Sequence, residues 1–244
     1  MGETATHPMP YPGSMLDGMS IEVHELLVFP GPDGRAGNPL GVILNGTSIP
    51  AADRQGVAAE LGYSETVFVD DAATGAIRIF TPAIELPFAG HPTVGTAWLL
   101  AQENTPVDAL RPPAGTVPVR YEPELTWVTA RPAWTPTFDF RQLANAAEVE
   151  NYPLPTEGQQ YVWAWIDEAA GVVRSRSFPL DLGIQEDEAT GAAAVALVGK
   201  LGRRLEINQG VGSLLIAGPT GDGAVELGGR VSAVRRFALA GAGR

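Results

Sequence analysis

Between residues 20 and 44 apolar and polar side chains alternate with the period of a half-buried strand, around the turn-rich stretch GPDGRAGNPLG. Ser48 stands where a helix cap belongs and Pro50 falls near a first turn, so AADRQGVAAEL is expected to be helical as far as Gly62. Residues 65–69 read as a strand, 71–75 as a turn and 76–80 as a second strand. A loop rich in proline and glycine follows, and a helix is expected from Pro92 to about Gln102. Val94, Ala97, Trp98 and Ala101 line one face of that helix, yet Leu99 and Leu100 point elsewhere. A helix that is apolar all round has to be buried all round.

The second half of the chain repeats this order. Residues 140–149 are expected to be helical, 161–167 a strand, 168–171 a turn and 172–178 a strand. The loop PLDLGIQED comes next, and then TGAAAVALVGKL, a helix without a charge before Lys200. Phe80-Thr81-Pro82 precedes His91 much as Phe178-Pro179 precedes Asp187. The matching turns, loop lengths and apolar helices point to an internal duplication. The expected units are a flexible lead-in (residues 1–18, with Met19 an alternative start), a first half (19–112) and a second half (113–244).

A wholly apolar helix in a strand-rich half is best buried by a sheet curling around it. The helix N-terminus then emerges at one end of a barrel-like half. Two such halves facing each other would bring both N-termini into one cleft, each with unpaired N–H groups and about half a positive charge. His91 marks one of these entrances and Asp187 the other.

Charge sharpens this picture. The net charge is -12, and no basic cluster exceeds a pair such as Arg203-Arg204 or Arg235-Arg236. Nucleic acid and anionic membranes are poor partners for such a chain, and an anionic substrate must be held by local groups. No apolar run approaches about 18 residues, so no membrane span is expected. The start lacks the basic and apolar regions of a secretory signal, which makes a cytoplasmic location the default. The absence of cysteine rules out disulfides, zinc-thiolate sites and thiol catalysis. No GxGxxG, GxxxxGK[ST] or GxSxG motif is present, and His7, His24 and His91 lack metal-ligand spacing. Neither a cofactor nor a metal is implied. Trp163 and Trp165 share one strand face and read as packing or interface residues.

Several stretches carry a family resemblance. Gly37-Asn38-Pro39-Leu40-Gly41-Val42, Ser64-Glu65-Thr66-Val67-Phe68, Phe80-Thr81-Pro82, Glu85-Leu86-Pro87-Phe88-Ala89-Gly90-His91-Pro92-Thr93 and Glu186-Asp187-Glu188-Ala189-Thr190-Gly191 together resemble the PhzF-like (phenazine biosynthesis) isomerase family. The resemblance spans residues 21–239, is densest in the first half and thinnest between residues 103 and 161. It implies the diaminopimelate-epimerase-like fold: α+β, two pseudo-symmetric halves, each a β-barrel-like sheet around a buried central helix. It also implies a homodimer, and Glu65 as the catalytic acid/base with His91 and Asp187 as polar partners. Asn38, Ser64, Gly90, Thr190, Gly191 and Ala192 lie in the same motifs and are the expected substrate-binding positions.

Elementary chemistry agrees with that assignment. A carboxylate moves a proton to and from carbon only if apolar neighbours or a like charge lift its pKa. Val67 and Phe68 could supply the first condition, and Asp187 across a cleft the second. Epimerases of this fold use two opposed cysteines, whose places fall here at Gly90 and near Ala192. One-base chemistry from Glu65 is what remains. Two departures stand out: the family usually has proline where Glu188 stands and serine where Ala192 stands. The run Glu186-Asp187-Glu188 should then disfavour an anion at the second entrance, and an amine or neutral group is expected there. The reading is a cofactor-independent isomerase of a small carboxylated or amino-bearing metabolite. A redeployed cyclase or epimerase, or a non-catalytic dimeric binding module, remains the alternative, and washing in of solvent deuterium would tell an enzyme from a binder.

Overall fold

The computed structural model describes residues 20–240; the expected lead-in, Met19 and His7 lie outside the described residues. The chain runs β1 (Ser20–Val28), β2 (Asn38–Ile43), α1 (Ala51–Leu61), β3 (Glu65–Asp71), β4 (Ala76–Phe80), β5 (Glu85–Leu86) and α2 (Gly90–Gln102). It continues with β6 (Ala109–Leu110), β7 (Val117–Tyr121), β8 (Thr126–Ala130), β9 (Asp139–Gln142), α3 (Ala146–Glu150), β10 (Gln159–Asp167) and β11 (Val172–Pro179). Last come α4 (Gly191–Leu201), β12 (Leu205–Gln209), β13 (Ser213–Pro219), β14 (Val225–Gly229) and β15 (Val231–Ala240). Among the described residues no helix is long and apolar enough to cross a membrane.

The strands form two sheets, ordered β15-β1-β2-β3-β4-β5 and β6-β7-β8-β14-β13-β12-β11-β10-β9. Hairpin neighbours are antiparallel, whereas β2 with β3, β9 with β10 and β11 with β12 pair in parallel because a helix intervenes. Each sheet curls around one helix, α2 in the first and α4 in the second. Leu99, Leu100, Val195, Leu197 and Val198 are all buried, each contributing roughly 1.5–3 kcal/mol relative to exposure. The apolar residues of both helices and both sheets join in one core. Outside it, α1 covers the far face of the first sheet over Val23, Ile43 and Phe68, and α3 covers the second over Val162, Ala164 and Phe178.

The two hairpins β3–β4 and β10–β11 match in detail. Each has a register shift just before its turn aspartate, Asp71 or Asp167. Each aspartate accepts backbone N–H bonds inside the turn, from Ala73 in one and Ala170 in the other. Each turn ends on a glycine with positive φ, Gly75 at 72° and Gly171 at 75°. The strand that follows the central helix then donates to that glycine's carbonyl: Arg111 N–H to Gly75 O at 2.7 Å, and Glu206 N–H to Gly171 O at 2.9 Å. A Cβ on either glycine would meet that strand's backbone, at 2.3 Å for Ala109 O and 2.6 Å for Arg204 O.

Three sequence expectations need correction. Residues 140–149 are not one helix. Phe140 lies in β9, pairs beside Tyr161 and packs its ring 5.5 Å from that phenol, so strand pairing overrides helix propensity there. Only Ala146–Glu150 is helical, capped by the Asn145 side chain accepting from Glu148 N–H. Ser48 does not cap α1: its hydroxyl donates to Asn45 O, and Pro50 is the N-cap with no side-chain bond. Finally, β15 pairs with β1 along its length, so the last strand of the expected second half completes the first sheet. Trp163 and Trp165 pack edge to face at 5.1 Å, Trp163 in the core and Trp165 half-buried beneath Arg203.

Candidate active site

Helices α2 and α4 meet head to head. A Cβ on Gly90 would lie 2.6 Å from the Gly191 carbonyl carbon and 2.9 Å from Ala192 N. A Cβ on Gly191 would lie 2.9 Å from both Gly90 Cα and His91 N. Only glycine on both sides lets the two backbones touch. Helix α2 begins at Gly90, two residues before the sequence expectation, because Pro92 sits in its first turn, where an N–H has no intrahelical partner anyway. The N-caps Ala89 and Thr190 bond none of the first-turn N–H groups through their side chains. Both positive helix ends are therefore uncapped at one place.

The expected site residues gather around this contact. Glu65 opens β3, with Val67 on the same face, towards α2. Its Oε2 lies 3.4 Å from His91 Nε2, and neither atom has a hydrogen-bond partner of good geometry. Asn38, at the start of β2, ties the two halves together. Its amide nitrogen donates to Asp187 Oδ1 at 2.6 Å and to Ala189 O at 2.9 Å, while its oxygen accepts from the Ser64 hydroxyl at 3.2 Å. The same nitrogen lies 3.4 Å from His91 Nδ1. A donor facing Nδ1 leaves the ring hydrogen on Nε2, on the side of Glu65 but out of line for a hydrogen bond to it. From the second half, the Thr190 hydroxyl donates to Asp187 Oδ2 at 2.6 Å. Ala192 is buried in the first turn of α4. Thus Glu65, His91, Asp187, Asn38, Ser64, Gly90, Thr190, Gly191 and Ala192 all come together at the junction of the halves.

Burial sets the electrostatics. Glu65 is only 8% exposed, and desolvation, reinforced by the Asp187 charge, pushes its carboxyl up to about 8. Desolvation also raises Asp187, to about 6, against the bonds from Thr190 and Asn38 that favour its charged form. Burial alone holds His91 down at about 3, so its imidazole is neutral. Of the apolar neighbours named from the sequence, Val67 shares the face of Glu65 whereas Phe68 lies on the far face beneath α1, and the like charge of Asp187 is present.

The three successive carboxylates point in different directions, although the Glu188 charge still helps to raise Asp187. Asp187 bridges Ser177 in antiparallel fashion, so the segment is locally extended and successive side chains point to opposite sides. Glu186 turns outwards into a two-point pair with Arg176, at 2.7 and 2.8 Å. Glu188 accepts from Val211 N–H at 2.9 Å and from the Ser213 hydroxyl at 2.8 Å. Of the three, Asp187 alone faces the junction. Two polar neighbours of Asp187 escaped the sequence analysis, Gln209 and Tyr161. Gln209 lies far along the chain in β12, and Tyr161 reads as one apolar residue of a strand.

Comparison with known proteins bears on the family and the fold. Residues 32–154 match the family model PhzC-PhzF, described as phenazine biosynthesis-like protein. Trans-2,3-dihydro-3-hydroxyanthranilate isomerase from Pseudomonas chlororaphis is 30% identical, the match covering 72% of this chain and 81% of that protein. Its counterpart from Pseudomonas aeruginosa is 31% identical, covering 71% and 77%. The crystal structure of a PhzF family protein from Enterococcus faecalis superposes with a TM-score of 0.74 at 22% identity, over 91% of this chain and 99% of that one. A hydroxyproline epimerase from Agrobacterium vitis shares the fold at a TM-score of 0.62 and 10% identity, over 91% and 92% of the two chains. With half of its length matched by the family model and an isomerase relative aligned over most of both chains, this protein belongs to the phenazine biosynthesis-like PhzC-PhzF family.

Proposed function

We propose that this chain is a cofactor-independent isomerase that moves a proton on a small metabolite, with Glu65 as its single acid/base. The observation that carries the reading is the Glu65 carboxyl: buried, one oxygen unpartnered, and raised to about 8, where either protonation state is accessible near neutral pH. Ionised Glu65 takes a proton from a carbon on the face it meets and returns it to another carbon of that face. Neutral His91, whose Nε2 is unpartnered, donates to a substrate oxygen and does not itself change charge. Asp187, held by Thr190 and Asn38, keeps the negative charge on the far side and the proton on Glu65.

A second acid/base at the head-to-head contact has no support, since the two opposed places fall at Gly90 and near Ala192, neither of which has a side chain that can carry a proton. The uncapped helix ends suit a carboxylate on the substrate, which favours the carboxylated over the purely amino-bearing class. Glu65, His91 and Asp187 are each less than a tenth exposed, so the halves have to part to admit any substrate.

The Pseudomonas relatives are named for trans-2,3-dihydro-3-hydroxyanthranilate, which makes that compound the first to test. Incubation in deuterium oxide followed by NMR should show label entering substrate or product. Glu65→Gln should lower turnover by ~10²–10⁴-fold while leaving binding intact, and His91→Ala should damage both. Turnover of Glu65→Gln within a few-fold of wild type would remove Glu65 from this role.

A further inference from the structure

Counting back six residues from the matched turn aspartates gives Glu65 in the first half and Tyr161 in the second. The duplicated frame therefore places a phenol where its first copy carries the acid/base. Tyr161 is fully buried, and burial raises its hydroxyl well above the usual phenol range. It stays protonated, and a protonated phenol has one hydrogen to give.

That hydrogen has a defined destination. Gln209, also fully buried, directs its amide nitrogen at two groups, Asp187 O and Thr190 Oγ1, both at 2.9 Å. A main-chain carbonyl only accepts, so this end of the amide must be the donor end. The Gln209 oxygen then faces the Tyr161 hydroxyl at 3.2 Å and takes its hydrogen. The Ser175 hydroxyl lies 2.8 Å from the phenol oxygen, and because the Gln209 oxygen can only accept, the phenol hydrogen goes to Gln209 and Ser175 is the donor to the phenol. Once Thr190 Oγ1 accepts from Gln209, its own hydrogen is committed to Asp187 Oδ2, at 2.6 Å.

We infer that Tyr161 and Gln209 are positioning residues: they form a one-directional hydrogen-bond chain through Thr190 that fixes the Asp187 carboxylate at the junction of the halves. The second copy of the hairpin thus serves the first, holding the charge that faces Glu65 in place of a second proton-moving group. The groups facing Asp187 are Glu65 from β3 and Asn38 from β2, with His91 of α2 beyond them against Asn38. Glu188 beside it in the chain turns its side chain to Val211 and Ser213 yet still raises Asp187 by its charge, and Tyr161 and Gln209 lie behind it.

The consequence for Glu65 rests on the isomerase reading, but the chain itself is tested without substrate. Carboxyl ¹³C titration by NMR follows Glu65 and Asp187 in the unliganded protein. Gln209→Met keeps the length of the side chain and removes both ends of its bonding. It should raise the Asp187 midpoint by about one pH unit, the size expected for weakening a bond to a charged acceptor, and lower that of Glu65. Thr190→Val should do the same, and the double variant should go no further than the larger single change, because Gln209 acts through Thr190. Tyr161→Phe keeps the ring and should shift both midpoints in the same directions by less, which decides the matter if Gln209→Met does not fold. Unmoved midpoints in folded Gln209→Met or Tyr161→Phe, or additive shifts in the double variant, would overturn the inference. Shifted midpoints in a protein that turns over nothing would leave it standing and sink the isomerase reading instead.

Discussion

Replacing Gly90 by alanine tests whether the closed junction depends on backbone contact. The added methyl would sit 2.6, 2.7 and 2.9 Å from three backbone atoms of Gly191 and Ala192. No side chain can swing away to make room. Relief to an ordinary contact near 3.5 Å requires the helix ends to separate by roughly 1 Å. The Asn38–Asp187 bond spans the same junction at 2.6 Å, so the same displacement takes it to the edge of hydrogen-bonding range. Overpacking costs about 1–3 kcal/mol, and losing a bond to a charged acceptor adds about as much. A loss of about 2–4 kcal/mol in urea unfolding is expected, together with a shifted Asn38 side-chain amide resonance. Gly56→Ala is the control: Gly56 lies in the middle of α1 with nothing within 4 Å of a new Cβ, and alanine there should stabilise by up to about 1 kcal/mol. If Gly90→Ala unfolds within about 0.5 kcal/mol of wild type with the Asn38 resonance unmoved, the junction is looser than the argument requires.

Other expectations follow from the same geometry. Native Glu65 keeps its proton up to about 8, whereas the unfolded chain loses it near 4.5, so stability contributed by this group is full below 4.5 and is lost as pH rises towards 8. Glu65→Gln should therefore gain on wild type, by a few kcal/mol, between about pH 5 and about pH 8.5 in urea melts; a pH-independent difference would contradict the raised carboxyl. Glu188→Ala frees the donors of Val211 and Ser213 and should cost about 1–3 kcal/mol. It should leave the calorimetric affinity for small dicarboxylates unchanged, and tighter binding would restore the charge barrier that the sequence suggested. A homodimer is expected by sedimentation at micromolar protein, and a monomer there would count against it.

The duplication was legible because its signals are local. An aspartate and a glycine four residues apart make the same turn twice, and an unbroken apolar helix has one stable environment, inside a sheet. The meeting of the helix ends follows from two wholly apolar helices, each buried in a sheet, in halves that face each other. What escaped depends on partners distant in the chain. β15 joins the first sheet through pairings more than 200 residues apart, which no periodicity contains. Phe140 was assigned to a helix because its neighbours have helical propensity, while its actual partner is a phenol in β10. The direction of the acidic run was not legible either: one antiparallel bridge at Ser177 sends Glu186 and Glu188 to one side and Asp187 to the other.

The two buried carboxyls are raised by the same cause and yet are not equivalent. Asp187 accepts from Thr190 at one oxygen and from Asn38 at the other, both bonds at 2.6 Å, and such bonds favour the charged form. Glu65 has an oxygen without a partner of good geometry, is helped towards its charged form only by the Ser64 side chain, and faces a neutral imidazole at 3.4 Å. Charge therefore settles on Asp187 first, and that charge in turn raises the cost of ionising Glu65. Environments that push two titratable groups apart assign them different tasks. In this pair the division falls along the seam of the duplication, with the movable proton in the first half and the fixed charge in the second. That asymmetry supports one-base chemistry on a frame whose symmetry would suit two.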